Sequence, residues 1–149
     1  MRIDPSSKRG MPLLIGAITC LSALTHSAEI ATAAQSPDLE DSNWQLVRMV
    51  VLGGYQFIPT EPAKYVLNFR SDSRLTGSSD CNDLGGYWIQ EGSALRFEPL
   101  SSTRKLCAPG SLHNNLYLYL RGTESFKIVD GNMILSTTTD GVELEFESR

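Results

Sequence analysis

The sequence predicts a mainly β (α+β) chain, in which a small antiparallel sheet curls against one helix. Three observations carry this. Short runs rich in β-branched and aromatic residues alternate with Gly-, Asp- and Ser-containing turn signals. A single later stretch has apolar residues at helical spacing. The order is strands, one helix, strands, without the spacing of βαβ crossovers, so the strands pair with their neighbours in antiparallel fashion.

The elements read as follows. Trp44–Val51 mixes alternation with β-branched residues and forms the first strand, broken by Gly53-Gly54 and by the stretch holding Pro59 and Pro62. Tyr65–Phe69 is a second strand, and Ser71-Asp72-Ser73 turns it into Arg74–Gly77. Gly86–Gln90 and Ala94–Phe97 form a hairpin around Glu91-Gly92-Ser93. Ser111 is placed to cap a helix whose stripe is Leu112, Leu116, Tyr119 and Leu120, and Gly122 falls where a helix C-terminal glycine belongs. Phe126–Val129 joins Met133–Leu135 through Asp130-Gly131-Asn132. Thr139-Asp140-Gly141 then leads into Val142–Phe146. This last strand alternates cleanly, with Val142, Leu144 and Phe146 inward and Glu143, Glu145 and Glu147 outward.

Before the domain stands a segment that reads as an address. Lys8 and Arg9 precede an apolar run from Met11 to Leu24, of about 14 residues, which fits the h-region of an export signal and is too short for a comfortable bilayer span. Ala31-Thr32-Ala33 offers a cleavage site, with His26-Ser27-Ala28 a less typical one. Ala17-Ile18-Thr19 makes a poor lipobox before Cys20. The expected organisation is a signal peptide over 1–34, a polar leader over 35–42 and a folded domain over 43–149. No later stretch is apolar enough to span a membrane, which points to a periplasmic or secreted monomer, with envelope attachment an open alternative.

Composition narrows the function classes. Hydrophobic residues make up 41% and charged residues 20%, an ordinary globular balance that excludes disordered and collagen-like chains. Thirteen basic against seventeen acidic residues give a net charge of −4. An acidic domain with scattered bases is poorly suited to nucleic acid or anionic lipid. There is no P-loop, GxGxxG, GxSxG or HExxH motif, so no cofactor is implied.

The most distinctive segment is Gly77-Ser-Ser-Asp-Cys-Asn-Asp-Leu-Gly-Gly-Tyr87. It resembles the signature of the META/HslJ-like family, in which a strand leads through Gly-x-x-x-Cys-Asn into a Gly-Tyr strand. Further matches fall in family order. Trp44-Gln-Leu looks like the opening strand, Thr103-Arg-Lys-Leu-Cys107 like a Thr-x-x-x-Cys element, Leu116–Leu120 like the helix, and Ile134-Leu135 like a late Leu-x-Leu strand. The resemblance covers about residues 43–147. It implies a small antiparallel β-barrel-like fold with one helix, often exported or envelope-attached in bacteria. Members are loosely linked to stress tolerance, antibiotic resistance, motility and virulence, and no enzymatic activity is established for the family as a whole. Where the family usually carries a Glu early in the helix, this chain has His113 and Asn114, so no role of that carboxylate carries over.

Cys81 and Cys107 are the only cysteines left after export, and an even pair in an oxidising compartment is most simply a disulfide. Closing that loop stabilises a domain by roughly 3.5 kcal/mol in the chain-entropy picture. The sharper alternative is a thiol-based redox protein or cysteine enzyme, with Cys81 activated by His113. Asn82 reads as a turn residue capping backbone groups, and Gly85-Gly86 as permissive or closely packed backbone; a binding role for Asn82 or Asp83 is the alternative. Gly77, Asn82, Gly86, Tyr87 and Thr103 are the motif positions to follow. Asp72, Asp80 and Asp83 do not match a calcium loop. A zinc site from Cys81, Cys107 and His113 lacks a fourth ligand. Tyr87 and Trp88 should point to opposite faces of their strand, one in the core and one at the surface or a barrel mouth. They and Tyr117 and Tyr119 could line a cavity for an acyl chain, though core filling is the plainer reading. The functional expectation is a non-enzymatic envelope stress or maintenance factor that binds a protein partner or a small hydrophobic ligand.

Overall fold

The computed structural model describes residues 37–149. Nine strands and one helix follow in the order β1 (Asn43–Val51), β2 (Tyr55–Phe57), β3 (Tyr65–Phe69), β4 (Arg74–Ser79), β5 (Asn82–Glu91), β6 (Ala94–Ser102), α1 (His113–Arg121), β7 (Thr123–Val129), β8 (Asn132–Thr137) and β9 (Glu143–Ser148). Every pairing is antiparallel between successive strands from β3 to β9, and β1 pairs with both β3 and β9. The sheet thereby closes on itself as an eight-stranded barrel. The export signal expected over 1–34 lies outside the described residues.

Closure depends on how β1 divides its edges. One edge faces β3 at Asn43–Gln45 and β2 at Met49–Val51. The other faces β9 along its whole length, from Trp44↔Ser148 to Val50↔Glu143, with an irregularity between Leu46 and Arg48. Such an irregularity bends the strand and sharpens its twist, which a closing sheet needs. The alternation read for the last strand holds. Val142, Leu144 and Phe146 are buried, while Glu145 and Glu143 face out to pair with Arg48 (2.5 Å) and Lys127 (3.3 Å).

The barrel interior is filled by side chains. Phe69, Phe146, Leu46, Met49, Leu67 and Leu135 are among those fully buried, and Phe69 sits edge-on to Trp88 with ring centroids 5.5 Å apart. Leu39 is also fully buried, so the stretch read as a polar leader contributes one side chain to the core.

The seam lies between β6 and β7. Their only ladder pair is Ala94↔Ser125, supported by Phe126 N–H to Ser93 C=O at 2.9 Å. Beyond it the chain leaves β6 at Ser102, makes a long loop, and returns as α1, which packs Leu116 and Leu120 into the core. The helix cap differs from expectation. Leu112 holds the N-cap position, and the Ser111 hydroxyl accepts from the His113 N–H at 3.2 Å from one residue further out. Gly122 is the C-cap, but its φ of −97° is not left-handed. Its need for glycine is space, since a Cβ there would lie 3.0 Å from the Thr138 hydroxyl.

Two further differences have local causes. The Gly53-Gly54 break is a hairpin turn, with φ of +84° and +78°, and it leads into the short strand β2 rather than a loop. β6 runs on past Pro99 because an extra residue bulges out of the pairing between Trp88↔Phe97 and Gly86↔Leu100, so the prolyl nitrogen is not needed in the ladder.

Candidate functional site: a clasped loop and the cleft beside it

The motif residues gather around one loop. Ser79 pairs with Asn82, so Asp80 and Cys81 form the two-residue turn between β4 and β5, with Asp80 at φ +57°. That turn presents Cys81 to Cys107, and the two are bonded with Cα atoms 5.5 Å apart. The Asn82 side chain, 1% exposed, does not cap its own turn. It reaches across to the loop after β6. Its Oδ1 accepts from the Thr103 hydroxyl (2.9 Å) and the Lys105 N–H (2.7 Å), and its Nδ2 donates to the Lys105 C=O (3.1 Å) and towards Cys107 Sγ (3.2 Å). Thr103 Oγ1 in turn accepts the Asp83 N–H at 2.9 Å. Amide, hydroxyl and disulfide together fasten residues 103–107 to the start of β5.

Gly77 and Gly86 are close-approach positions. A Cβ on Gly77 would lie 2.1 Å from the Val66 carbonyl oxygen, and one on Gly86 2.1 Å from that of Pro99. Both glycines let a neighbouring strand pass where a side chain would block it, whereas Gly85 would meet only the Ser101 hydroxyl, at 3.7 Å. Tyr87 and Trp88 take opposite faces as expected. Trp88 is in the core and donates from Nε1 to the Arg70 carbonyl (3.2 Å), and Tyr87 is 49% exposed beside an open surface groove. Tyr117 and Tyr119 are half-buried against the core rather than around an enclosed space.

The remaining acids and the histidine separate from the metal readings. Asp72 pairs with Arg74, Asp80 with Lys64 (3.8 Å) and Asp83 with Lys105 (3.7 Å). Among the described residues the metal-ligating atoms that come together are those of Asp80, Cys81 and Cys107. Both sulfurs of that set are in the disulfide, and His113 is outside it. His113 instead stacks on Tyr117 (centroids 6.0 Å), with its Nδ1 buried and unpartnered among the described residues. Burial pushes its imidazole below the ordinary histidine value, with Asp80 pulling the other way.

Next to the clasp lies a cleft of about 520 Å³. One wall is the end of β6 and its following loop, from Leu100 to Leu106. The other is the face of α1 carrying His113 and Tyr117, with Arg121 5.9 Å from the Tyr117 ring. The Tyr117 hydroxyl crosses the gap and donates to the Leu100 carbonyl at 3.1 Å. This cleft was not legible beforehand, because its walls are brought together by the seam and not by any local pattern.

A closed eight-stranded antiparallel barrel, one helix over its seam and a disulfide-clasped loop define a small single-barrel domain. The META domain family model matches residues 37–149, and the chain belongs to that family. It is similar to an NMR structure of a protein from Burkholderia xenovorans, with a TM-score of 0.64 and 23% identity, over 79% of this chain and 94% of that one. It is also similar to a DUF4847 family protein from Bacteroides vulgatus, with a TM-score of 0.52 and 11% identity, over 72% of this chain and 92% of that one. No curated protein matches the chain.

Proposed function

We propose that this META domain protein is exported to the bacterial envelope and serves there as a stress or maintenance factor that works by binding a protein partner, without catalysis. The observation that carries the binding reading is the β1–β2 hairpin and the residue after it. Leu52, Tyr55 and Ile58 are 74%, 74% and 65% exposed, Phe57 is 39% exposed, and no charge interrupts Met49–Thr60. Several large exposed apolar side chains on one hairpin are the usual mark of a contact surface. A small hydrophobic ligand fits less well, since large side chains occupy the barrel interior. Export is supported by the leading segment and by the Cys81–Cys107 bond, which belongs to an oxidising compartment.

Thiol exchange is the second reading. Cys81 sits in a surface turn, and the Asn82 amide that donates towards Cys107 Sγ also lies 3.5 Å from Cys81 Sγ, where it would favour a thiolate.

The deciding experiment is intact mass of the protein recovered from cell envelopes, alkylated before and after reduction. A chain beginning between Glu29 and Gln35 that takes up two alkyl groups only after reduction supports export and a structural disulfide. A full-length chain with reactive thiols overturns both and moves thiol chemistry forward. Site-specific photocross-linking from Tyr55 then tests partner binding.

A further inference from the structure

The end of β6 has one edge without a strand beside it. Thr103 N–H bonds to Asp83 C=O (3.1 Å), so the ladder with β5 uses the backbone groups of the odd-numbered residues there. In an antiparallel pair the intervening residues point their N–H and C=O the other way. Leu100 and Ser102 therefore present theirs away from β5, into the cleft. Tyr117 takes the Leu100 carbonyl. Among the described residues no side-chain or loop hydrogen bond takes the Leu100 N–H or the N–H and C=O of Ser102.

The charge of the cleft runs against that of the molecule. Residues 37–149 hold ten bases against fifteen acids, yet the charged side chains lining this cleft are Arg104 and Lys105. Arg121 lies 5.9 Å from the Tyr117 ring, and the two acids nearby are each matched by a base, Asp83 by Lys105 at 3.7 Å and Asp80, which acts on His113, by Lys64 at 3.8 Å. Leu106, fully exposed, and the Tyr117 ring add apolar surface. The clasp through Asn82 and the disulfide fixes this wall in place, so little ordering is left for a ligand to impose.

From the open edge of Leu100 and Ser102 and the basic wall beside it, we infer that the cleft between β6 and α1 binds an extended acidic peptide segment of a partner, added as a strand to β6. The inference rests on the reading that the protein acts by binding a partner, and it names the partner's chemistry. Main-chain hydrogen bonds to Leu100 and Ser102 supply affinity in this mode, and Arg104 and Lys105 select acidic side chains.

The test titrates the isotope-labelled protein, as recovered from envelopes, with a blocked heptapeptide alternating Val and Asp, and follows the backbone amides. The expected result is shifts centred on Leu100, Ser102 and Lys105 that weaken as salt is raised. Ser102→Pro removes an outward N–H and leaves the β5 ladder intact, and should weaken binding about tenfold. Should that variant fold poorly, a peptide N-methylated at alternate residues makes the same test on the unaltered protein. Equal binding of a Val–Lys peptide, or binding indifferent to both the proline and the N-methyl groups, overturns the inference. So does an absence of peptide shifts. If cross-linking from Tyr55 still captures a partner in that case, the binding reading survives and the cleft assignment alone fails. If neither Tyr55 nor Leu106 cross-links, both fall.

Discussion

The Asn82 amide and the Thr103 hydroxyl form a bridge from the first residue of β5 to the loop after β6. The hydroxyl donates to Asn82 Oδ1 at 2.9 Å while its own oxygen holds the Asp83 N–H. Two motif positions separated by 21 residues are thus one structural unit. Replacing Asn82 with Ala should cost about 1–3 kcal/mol by leaving the Lys105 N–H and C=O without their partner. Chemical denaturation gives the cost, and amide exchange at Lys105 should accelerate together with it. Unchanged exchange there would mean the loop holds itself.

The disulfide gives a second prediction. Cys81→Ser and Cys107→Ser should destabilise equally, by roughly 3.5 kcal/mol, and the double variant should be little worse, because either change removes the same bond. Additive losses in thermal melts would show that the two cysteines contribute separately.

Gly85 and Gly86 are adjacent yet should behave differently. Gly86→Ala drives a methyl into the Pro99 carbonyl and should cost about 2–3 kcal/mol. Gly85→Ala meets only an ordinary contact and should stay within about 0.5 kcal/mol of the parent. Equal denaturation midpoints for the two would refute the close approach of β5 and β6.

Phe146 is fully buried on β9, and Phe146→Ala should cost about 3–5 kcal/mol. A loss below about 0.5 kcal/mol would place the core on the other face of that strand.

His113 adds a pH dependence. Its folded-state imidazole titrates below the ordinary value because it is partly buried. As pH falls past about 6.5 the unfolded chain takes up the proton first, so stability declines until the folded form titrates as well. Above that range both states are neutral and the group contributes nothing. Melting temperatures followed from about pH 7.5 to pH 5 should fall less steeply in His113→Asn than in the parent. Identical slopes would show that the imidazole is solvated in the folded state.

The sequence disclosed the elements whose pattern is local. The last strand's alternation and the opposed faces of Tyr87 and Trp88 stand as read; the Asp130-Gly131-Asn132 turn tightens to Asp130-Gly131 with Asn132 in β8, and of the helix stripe Leu116 and Leu120 are the buried pair. What it hid depends on distant partners or on the absence of burial. β2 is three residues long and has no buried residue, too short for a period to mark it. β6 runs on past the expected end at Phe97 to Ser102, through a bulge in its pairing with β5 that no local period marks. Leu39 is a lone apolar residue in a polar stretch. Asn82 carried a turn reading because its true partners lie more than twenty residues onward.

The β1–β9 ladder also bears on how the molecule comes into being. Its two strands are the first and last of the barrel, and Arg149 N–H bonds to Asn43 C=O at 2.9 Å. A polypeptide delivered from its amino end must hold β1 with one edge bare until Ser148 arrives. The ring cannot shut piecemeal during synthesis or threading, and the bare edge is a pairing hazard throughout. Arrival of β9 is therefore the event that completes this barrel, and a chain cut before β9 would leave it open rather than merely shorter.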